Sequence, residues 1–86
     1  MMTIYKYMLG PSTTTIEMPK GAKILCVQVQ YGSPCIWAQV ESNAPMQERK
    51  FGIYGTGHQL PNEKMTYIGT FQIEDRQLVS HLFEIY

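Results

Sequence analysis

Hydrophobic and polar residues alternate most regularly between residues 23 and 41, where the pattern predicts an antiparallel β-hairpin. With the turn centred on Gly32 and Ser33, residues whose numbers sum to 65 lie opposite one another. One face then carries aliphatic pairs: Leu25 with Val40, Val27 with Ala38, and Val29 with Ile36. The other face carries Cys26 with Gln39, Gln28 with Trp37, and Gln30 with Cys35. One apolar and one polar face are typical of a ribbon that covers a core on one side only.

Pro34 affects the predicted turn of this hairpin. Because proline has no N–H, a two-residue turn closed by Pro34 would lack its closing hydrogen bond. A four-residue loop at residues 31–34 keeps the same register and avoids this loss, so we predict the longer loop.

Alternation and β-forming residues predict further strands at residues 2–9, 13–18, 48–54, 65–73 and 77–86, with Gly- and Pro-containing breaks and a polar turn at 74–76. In the last segment one face carries Val79, His81, Phe83 and Ile85. Two helical turns are the alternative for that segment. The sequence therefore predicts an all-β fold, a small antiparallel β-sandwich or barrel of six to seven strands, in a single domain over residues 1–86.

The charge balance changes the range of expected partners. The 86 residues include seven basic and seven acidic side chains, so the formal net charge is zero. A nucleic-acid-binding surface needs clustered Lys and Arg, and we therefore expect no direct DNA binding. A small core and little charge repulsion favour a homo-oligomer, most simply a two-fold dimer.

Two cysteines are too few for a disulfide framework. On the predicted register Cys26 and Cys35 are about four residues out of opposition, roughly 13 Å apart and too far to be bonded. Reduced thiols favour a cytosolic compartment. The first residues have no signal-peptide pattern, and no apolar run approaches the ~20 residues of a membrane span, so no membrane partner is expected.

The first candidate binding element is Gly55-Thr56-Gly57-His58. The two glycines allow the backbone to turn and a ligand to approach closely, and consecutive N–H groups there can form an anion-binding nest. Thr56 and His58 would add side-chain hydrogen bonds to a phosphate or to ribose hydroxyls. The segment lacks the lysine and helix of a P-loop. The alternative is that the glycines only end a strand and that His58 is solvated.

The second candidate element is Trp37, which the hairpin places on its polar face near Gln28 and Gln39. A flat aromatic ring among amides can stack on a base while the amides read the base edge. Tyr54, next to the glycine-rich turn, is the other ring that would stack. The alternative is that a second sheet or another subunit covers Trp37.

Other reactive side chains do not form a recognisable set. His58, His81, Cys26 and Cys35 have no metal-ligand spacing, and no sequence feature sets a nucleophile beside a base. His81, between Val79 and Phe83, is interpreted as a structural histidine. We therefore predict no cofactor, no metal and no enzymatic activity.

Several segments resemble a family of small phage and prophage proteins of unknown function. They extend over nearly the whole chain and include Ile-Glu-Met-Pro-Lys-Gly-Ala-Lys-Ile-Leu at 16–25, Pro-Cys-Ile-Trp-Ala at 34–38, Ile-Tyr-Gly-Thr-Gly-His at 53–58, Tyr-Ile-Gly-Thr-Phe at 67–71 and His-Leu-Phe-Glu at 81–84. Ser80 departs from this resemblance, because relatives tend to carry a bulky apolar residue there.

The resemblance implies a phage origin and action in the host cytoplasm, and it supplies no activity. Small non-enzymatic phage proteins often counter host immunity by binding. The expected function is therefore a sponge that sequesters a nucleotide-derived immune signal. The alternatives are a protein–protein inhibitor of a host defence complex, such as a CRISPR effector, and a minor virion or assembly protein.

Overall fold

The computed structural model describes residues 1–73 and 78–86, and these form seven β-strands. The strands are β1 (Met2–Met8), β2 (Thr13–Pro19), β3 (Lys23–Gln30), β4 (Ser33–Glu41), β5 (Met46–Gly55), β6 (Met65–Gln72) and β7 (Val79–Ile85). This confirms the all-β prediction and gives a strand, not helical turns, at β7. The predicted polar turn at 74–76 and the predicted strand start at 77 lie outside the described residues.

The strands form two antiparallel sheets. A three-stranded sheet has the order β1-β4-β3, and a four-stranded sheet has the order β2-β5-β7-β6. The sheets pack face to face, with β3 against β6 and β2 against β4. The side chains that meet between them are apolar, and the largest fully buried ones are Phe51, Met18, Ile36 and Leu82. The protein is therefore a small β-sandwich with one core and two outer faces.

The hairpin of β3 and β4 forms with a different register from the predicted one. The turn consists of Tyr31 and Gly32, with φ angles of 52° and 77°, and Gln30 lies opposite Ser33. This two-residue turn with two positive φ angles is the type that matches the twist of paired strands. Numbers of paired residues near the turn sum to 63 instead of 65, so the predicted four-residue loop is wrong.

Pro34 is compatible with this tighter turn because of the way in which β4 bonds to its other neighbour, β1. Leu9 N–H donates to Pro34 O at 3.0 Å, and Ser42 N–H donates to Met1 O at 3.0 Å. With the register of β1 and β4, these bonds show that even-numbered residues of β4 bond to β1. The missing N–H of Pro34 therefore faces the end of β1 and costs the β3–β4 hairpin nothing.

The predicted inward orientation of Leu25 is also wrong. The β3–β4 register shifts between Ile24 and Cys26, so Leu25 is the extra residue of a β-bulge and is 42% exposed. Ile24 packs against the core in its place, together with Val27 and Val29. The bulge explains why residues closer to the start of β3 sum to 62 with their partners.

The new register also moves the two cysteines. Cys26 lies opposite Trp37, which is two residues from Cys35, and not the predicted four. Both thiols are free, as expected, and Cys35 is buried. None of the described residues forms a helix that is long and apolar enough to span a membrane.

Candidate functional site

The candidate turn at residues 55–58 continues from β5 onto the outer face of the four-stranded sheet. Side chains alternate along β5, so Phe51 and Ile53 pack into the core while Tyr54 points outward. Tyr54 lies opposite His81 of β7, and His81 in turn lies opposite Thr70 of β6. Three strands therefore bring a phenol, an imidazole and a hydroxyl into one row beside the turn.

The imidazole of His81 is held between two threonine hydroxyls. Its Nε2 is 2.7 Å from Thr56 Oγ1, and its Nδ1 is 2.9 Å from Thr70 Oγ1. Thr56 Oγ1 also lies 3.2 Å from Val79 O, an oxygen that can only accept. The Thr56 hydroxyl therefore donates to Val79 O and accepts from His81 Nε2–H. For the neutral imidazole this assigns the Nε2–H tautomer, with Nδ1 accepting from Thr70.

Tyr67 extends the same chain of hydrogen bonds. Its phenol oxygen is 2.6 Å from Thr70 Oγ1. Because the Thr70 hydroxyl donates to His81 Nδ1, its oxygen accepts from the Tyr67 O–H. The chain therefore has one direction, from Tyr67 through Thr70, His81 and Thr56 to Val79 O. His81 does have a structural role, as predicted, but its role is at the candidate site.

The turn itself is not an open anion nest. Thr56 N–H donates to Val79 O at 3.1 Å, and His58 N–H donates to Gly55 O at 3.1 Å. Gly57 has a φ of 85°, which favours glycine and lets the chain reverse. A Cβ at Gly55 would lie 3.0 Å from the His58 ring, so this ring folds back over Gly55. Two of the three successive N–H groups are thus already bonded within the protein.

Aromatic rings continue the site along the sheet. Phe83 makes edge contacts with Tyr54, at a ring-centroid distance of 6.0 Å, and with Tyr67, at 5.6 Å. A Cβ at Gly52 would be 2.5 Å from the Tyr54 phenol oxygen, so only glycine leaves room for this ring position. Burial, and secondarily the charge of Glu63, raises the pKa of Tyr54. The Tyr54 side chain is therefore a neutral phenol at physiological pH.

Three adjoining clefts surround the turn, and together we call them the groove. The smallest, about 230 Å³, is lined by Tyr54, Gly55, Thr56, Gly57, His58, Leu60, His81 and Phe83. A cleft of about 450 Å³ lies on the other side of Thr56 and His58 and reaches Pro11 and Leu78. A third, of about 490 Å³, shares Tyr54 and Leu60 and adds Lys50. The groove therefore combines rings, hydroxyls and imidazoles with the ammonium group of Lys50 and the carboxylate of Glu63.

The structure separates the predicted site residues into two groups. Tyr54, Gly55, Thr56, Gly57 and His58 line one cleft. Trp37, Gln28 and Gln39 belong to the three-stranded sheet, on the face opposite to the buried Ile36 and Ala38. In one chain the two groups therefore lie on opposite sides of the sandwich. Trp37 does occupy the outer face, as predicted, but the residue directly opposite it on β3 is Cys26 and not Gln28.

Several residues of the groove and of its hydrogen-bond chain are not among the site residues predicted from the sequence. Phe83 and His81 were predicted to share a strand face, but nothing in the sequence pairs that face with Tyr54. Thr70 and Lys50 carry no motif. The alternation of β7 was the available signal, because a histidine and a phenylalanine on one strand face need a covering surface or a ligand.

A further cleft of about 490 Å³, near Arg49 and Glu84, is a weaker candidate. Arg49 Nε and Nη2 donate to the two oxygens of Glu84, at 2.5 and 2.9 Å, and Nη1 donates to Ala22 O at 2.8 Å. The hydrogen bond that Arg49 donates to Glu84 is the main cause that raises the pKa of Arg49. All three guanidinium nitrogens are occupied, so Arg49 is a structural residue and not an anion receptor.

Within residues 1–73 and 78–86, no group of three or more His, Cys, Asp or Glu side chains is arranged to hold a metal ion. The arrangement of the groove suits recognition of a small polar and aromatic molecule through stacking and hydrogen bonds.

Fold and groove together define a single-domain β-sandwich with a cleft on one outer face. The chain belongs to the family described as a domain of unknown function, DUF7352, whose model matches residues 1–86. No curated protein and no solved structure matches this chain.

Proposed function

We propose that the protein is a non-catalytic binding protein that sequesters a nucleotide-derived immune signal in the groove. In this proposal it is a phage counter-defence protein that acts in the host cytoplasm. The observation that carries the proposal is the convergence of Tyr54, Thr56 and His58 with His81 and Phe83 in one cleft. The rings of Tyr54 and Phe83 offer a stacking surface, and the Tyr54 phenol and the His58 imidazole offer hydrogen-bonding groups, which are the two needs of a nucleoside.

The contacts suggest how such a ligand is held. A base would stack on the exposed side of the Tyr54 or Phe83 ring, since these rings meet edge to face. Ribose hydroxyls would meet His58 at the turn. A phosphate would lie toward Lys50, which lines the adjoining cleft with Tyr54. The bonded N–H groups of Thr56 and His58 leave phosphate binding to this lysine.

Titration calorimetry against ADP-ribose and a panel of cyclic dinucleotides tests the proposal. Binding should weaken roughly tenfold in Lys50→Gln, the equivalent of about 1.4 kcal/mol for one lost phosphate contact. His58→Ala should also weaken binding. Lys23→Gln is the matched control, because Lys23 is an exposed lysine of the three-stranded sheet and should leave the affinity unchanged. No heat with any ligand, or equal losses in Lys50→Gln and Lys23→Gln, would contradict the proposal.

A second candidate function is inhibition of a host defence protein by direct binding. It is favoured by Tyr31, which is 99% exposed at the tip of the β3–β4 hairpin and has a φ of 52°. A tyrosine in the left-handed region is disfavoured relative to asparagine or glycine, so a benefit outside the fold would account for it. Tyr31→Asn keeps the turn and removes the ring. Loss of a stoichiometric protein complex in this variant, with no small ligand in the groove, would favour inhibition over sequestration.

A further inference from the structure

The four sheet edges of the sandwich differ in how they are protected from pairing with another chain. Exposed edges are usually interrupted by bulges, prolines or charges, because an open edge is a template for another strand. In this protein β3 has a bulge at Leu25, and β6 has one at Ile68. The edge strand β2 carries Glu17 and ends at Pro19. The remaining edge is β1, whose register with β4 is unbroken from Met2 to Met8.

The main chain of β1 presents a defined set of unpaired groups. The bonds of Leu9 and of Met1 to β4 place the odd-numbered residues of β1 in hydrogen-bonded pairs with β4. The N–H and C=O groups of the even-numbered residues therefore point away from the sheet. Among the strands that the structure describes, none lies on that side of β1. The outward-facing residues are Met2, Ile4, Lys6 and Met8.

The side chains of the same four residues lie on the outer face of the three-stranded sheet. Met2, Ile4 and Met8 are 57%, 58% and 63% exposed, so this edge is apolar as well as unpaired. Lys6 is the one charged side chain of β1, and it extends across β4 to β3, where its Nζ donates to Gln30 Oε1 at 2.7 Å. The ammonium group that could protect the β1 edge from pairing is therefore directed away from that edge, across the face of its own sheet.

We infer that β1 pairs with β1 of a second copy of this chain, antiparallel and with the two-fold axis at Tyr5. This register places Met2 opposite the partner's Met8 and Ile4 opposite the partner's Lys6. All four outward residues then exchange hydrogen bonds, about eight in total at two per pair. The three-stranded sheets of the two copies join into one six-stranded sheet. A two-fold interface must be complementary to itself, and this strand satisfies that condition.

The register predicts two different outcomes for two charges at position 4. In Ile4→Lys the new ammonium faces the partner's Lys6, twice in each dimer, and the dimer should dissociate roughly tenfold more readily. In Ile4→Glu the new carboxylate faces the same lysine, and the dimer should be retained. The double variant Ile4→Lys with Lys6→Glu again sets an ammonium opposite a carboxylate, with the two charges exchanged relative to Ile4→Glu, and it should restore the dimer. Sedimentation velocity over a concentration series measures each dissociation constant.

Hydrogen exchange of the unaltered protein supplies a test that does not depend on variants. Dilution through the dissociation range should speed exchange at the amides of Ile4, Lys6 and Met8. The amides of Tyr5 and Tyr7 bond to β4 and should not respond. A monomer at all concentrations would overturn the inference. So would a dimer in which the even-numbered amides show no concentration dependence, or one in which Ile4→Lys and Ile4→Glu behave alike.

Discussion

Gly69 of β6 lies directly against Val27 of β3, across the interface between the two sheets. A Cβ at Gly69 would be 2.7 Å from Val27 Cγ1, well inside contact distance. Gly69 also follows the β6 bulge and pairs with the fully buried Leu82. The absence of a side chain at residue 69 therefore sets the separation of the sheets at this position.

Gly69→Ala should destabilise the fold by about 1–3 kcal/mol, the usual cost of adding volume to a packed core. The free energy of unfolding from urea titration measures this change. Val27→Ala removes the atom that the new methyl group meets, so the double variant should be more stable than the two separate losses predict. Strict additivity of the two substitutions would show that the sheets do not meet at this point.

The strands themselves could be predicted because their alternation is a local property of the sequence. The register of the central hairpin could not, since Gly32-Ser33 and Tyr31-Gly32 both offer a turn. Only the second gives two positive φ angles in a two-residue turn, and it does so with a tyrosine that disfavours that conformation. The bulge at Leu25 was equally hidden, because Ile24 and Leu25 are both aliphatic and either could face the core.

The candidate site was predictable only as far as it is contiguous in sequence. Residues 54–58 lie together because they adjoin one another along the chain. The partners of Thr56 come from β7, more than twenty residues away, and Thr70 comes from β6. For Trp37, alternation correctly predicted an outer face, but it could not indicate that Tyr54 joins the other sheet.

The ion pair of Arg49 and Glu84 should be a strong local determinant of stability. Both side chains are largely buried, with exposures of 16% and 7%. Arg49→Met leaves the Glu84 carboxylate buried without its partner, and we expect a loss of about 3–5 kcal/mol. The double variant Arg49→Met with Glu84→Met should lose less than Arg49→Met alone, because no charge is left unpaired. Urea unfolding of the three variants measures the coupling.

Titration of Arg49 in this ion pair should add little pH dependence to the free energy of unfolding. The hydrogen bond with Glu84 raises the pKa of Arg49, so the stabilisation is present below the unfolded pKa and is lost only in strong base. Unfolding curves between neutral pH and pH 10 should therefore show the same coupling between the two residues. A coupling that disappears within this interval would contradict the assigned pairing.

Glu41 should titrate below its usual range. The backbone N–H of Asn43 donates to Glu41 Oε2 at 3.0 Å and is the main cause that lowers the pKa of this carboxyl, followed by the hydrogen bond from the Met1 ammonium. A lowered folded pKa stabilises the protein above the ordinary value of 4.5, and this contribution is lost as the pH falls through the folded pKa. Side-chain ¹³C NMR should give a midpoint below 4.5.

The Asn43 amide provides an independent reading of the same titration. Its proton shift should move with the Glu41 midpoint, because protonation weakens the hydrogen bond that it donates. In Glu41→Gln the acidic movement of this amide should disappear. An Asn43 shift that titrates unchanged in Glu41→Gln would show that another carboxyl causes it.

The tautomer of His81 follows from the direction of the hydrogen bonds around it. Val79 O accepts from Thr56, so Thr56 Oγ1 can only accept from His81 Nε2–H. Side-chain ¹⁵N NMR under conditions where the ring is neutral should therefore show a protonated Nε2 and an unprotonated Nδ1. Thr70→Val removes the donor to Nδ1 and should shift the Nδ1 resonance while the Nε2–H tautomer persists. Thr56→Val removes the acceptor and should allow both tautomers to be populated. An Nδ1–H tautomer in the unaltered protein would contradict this assignment, because the Thr56 hydroxyl would then donate to His81 Nε2 instead of Val79 O.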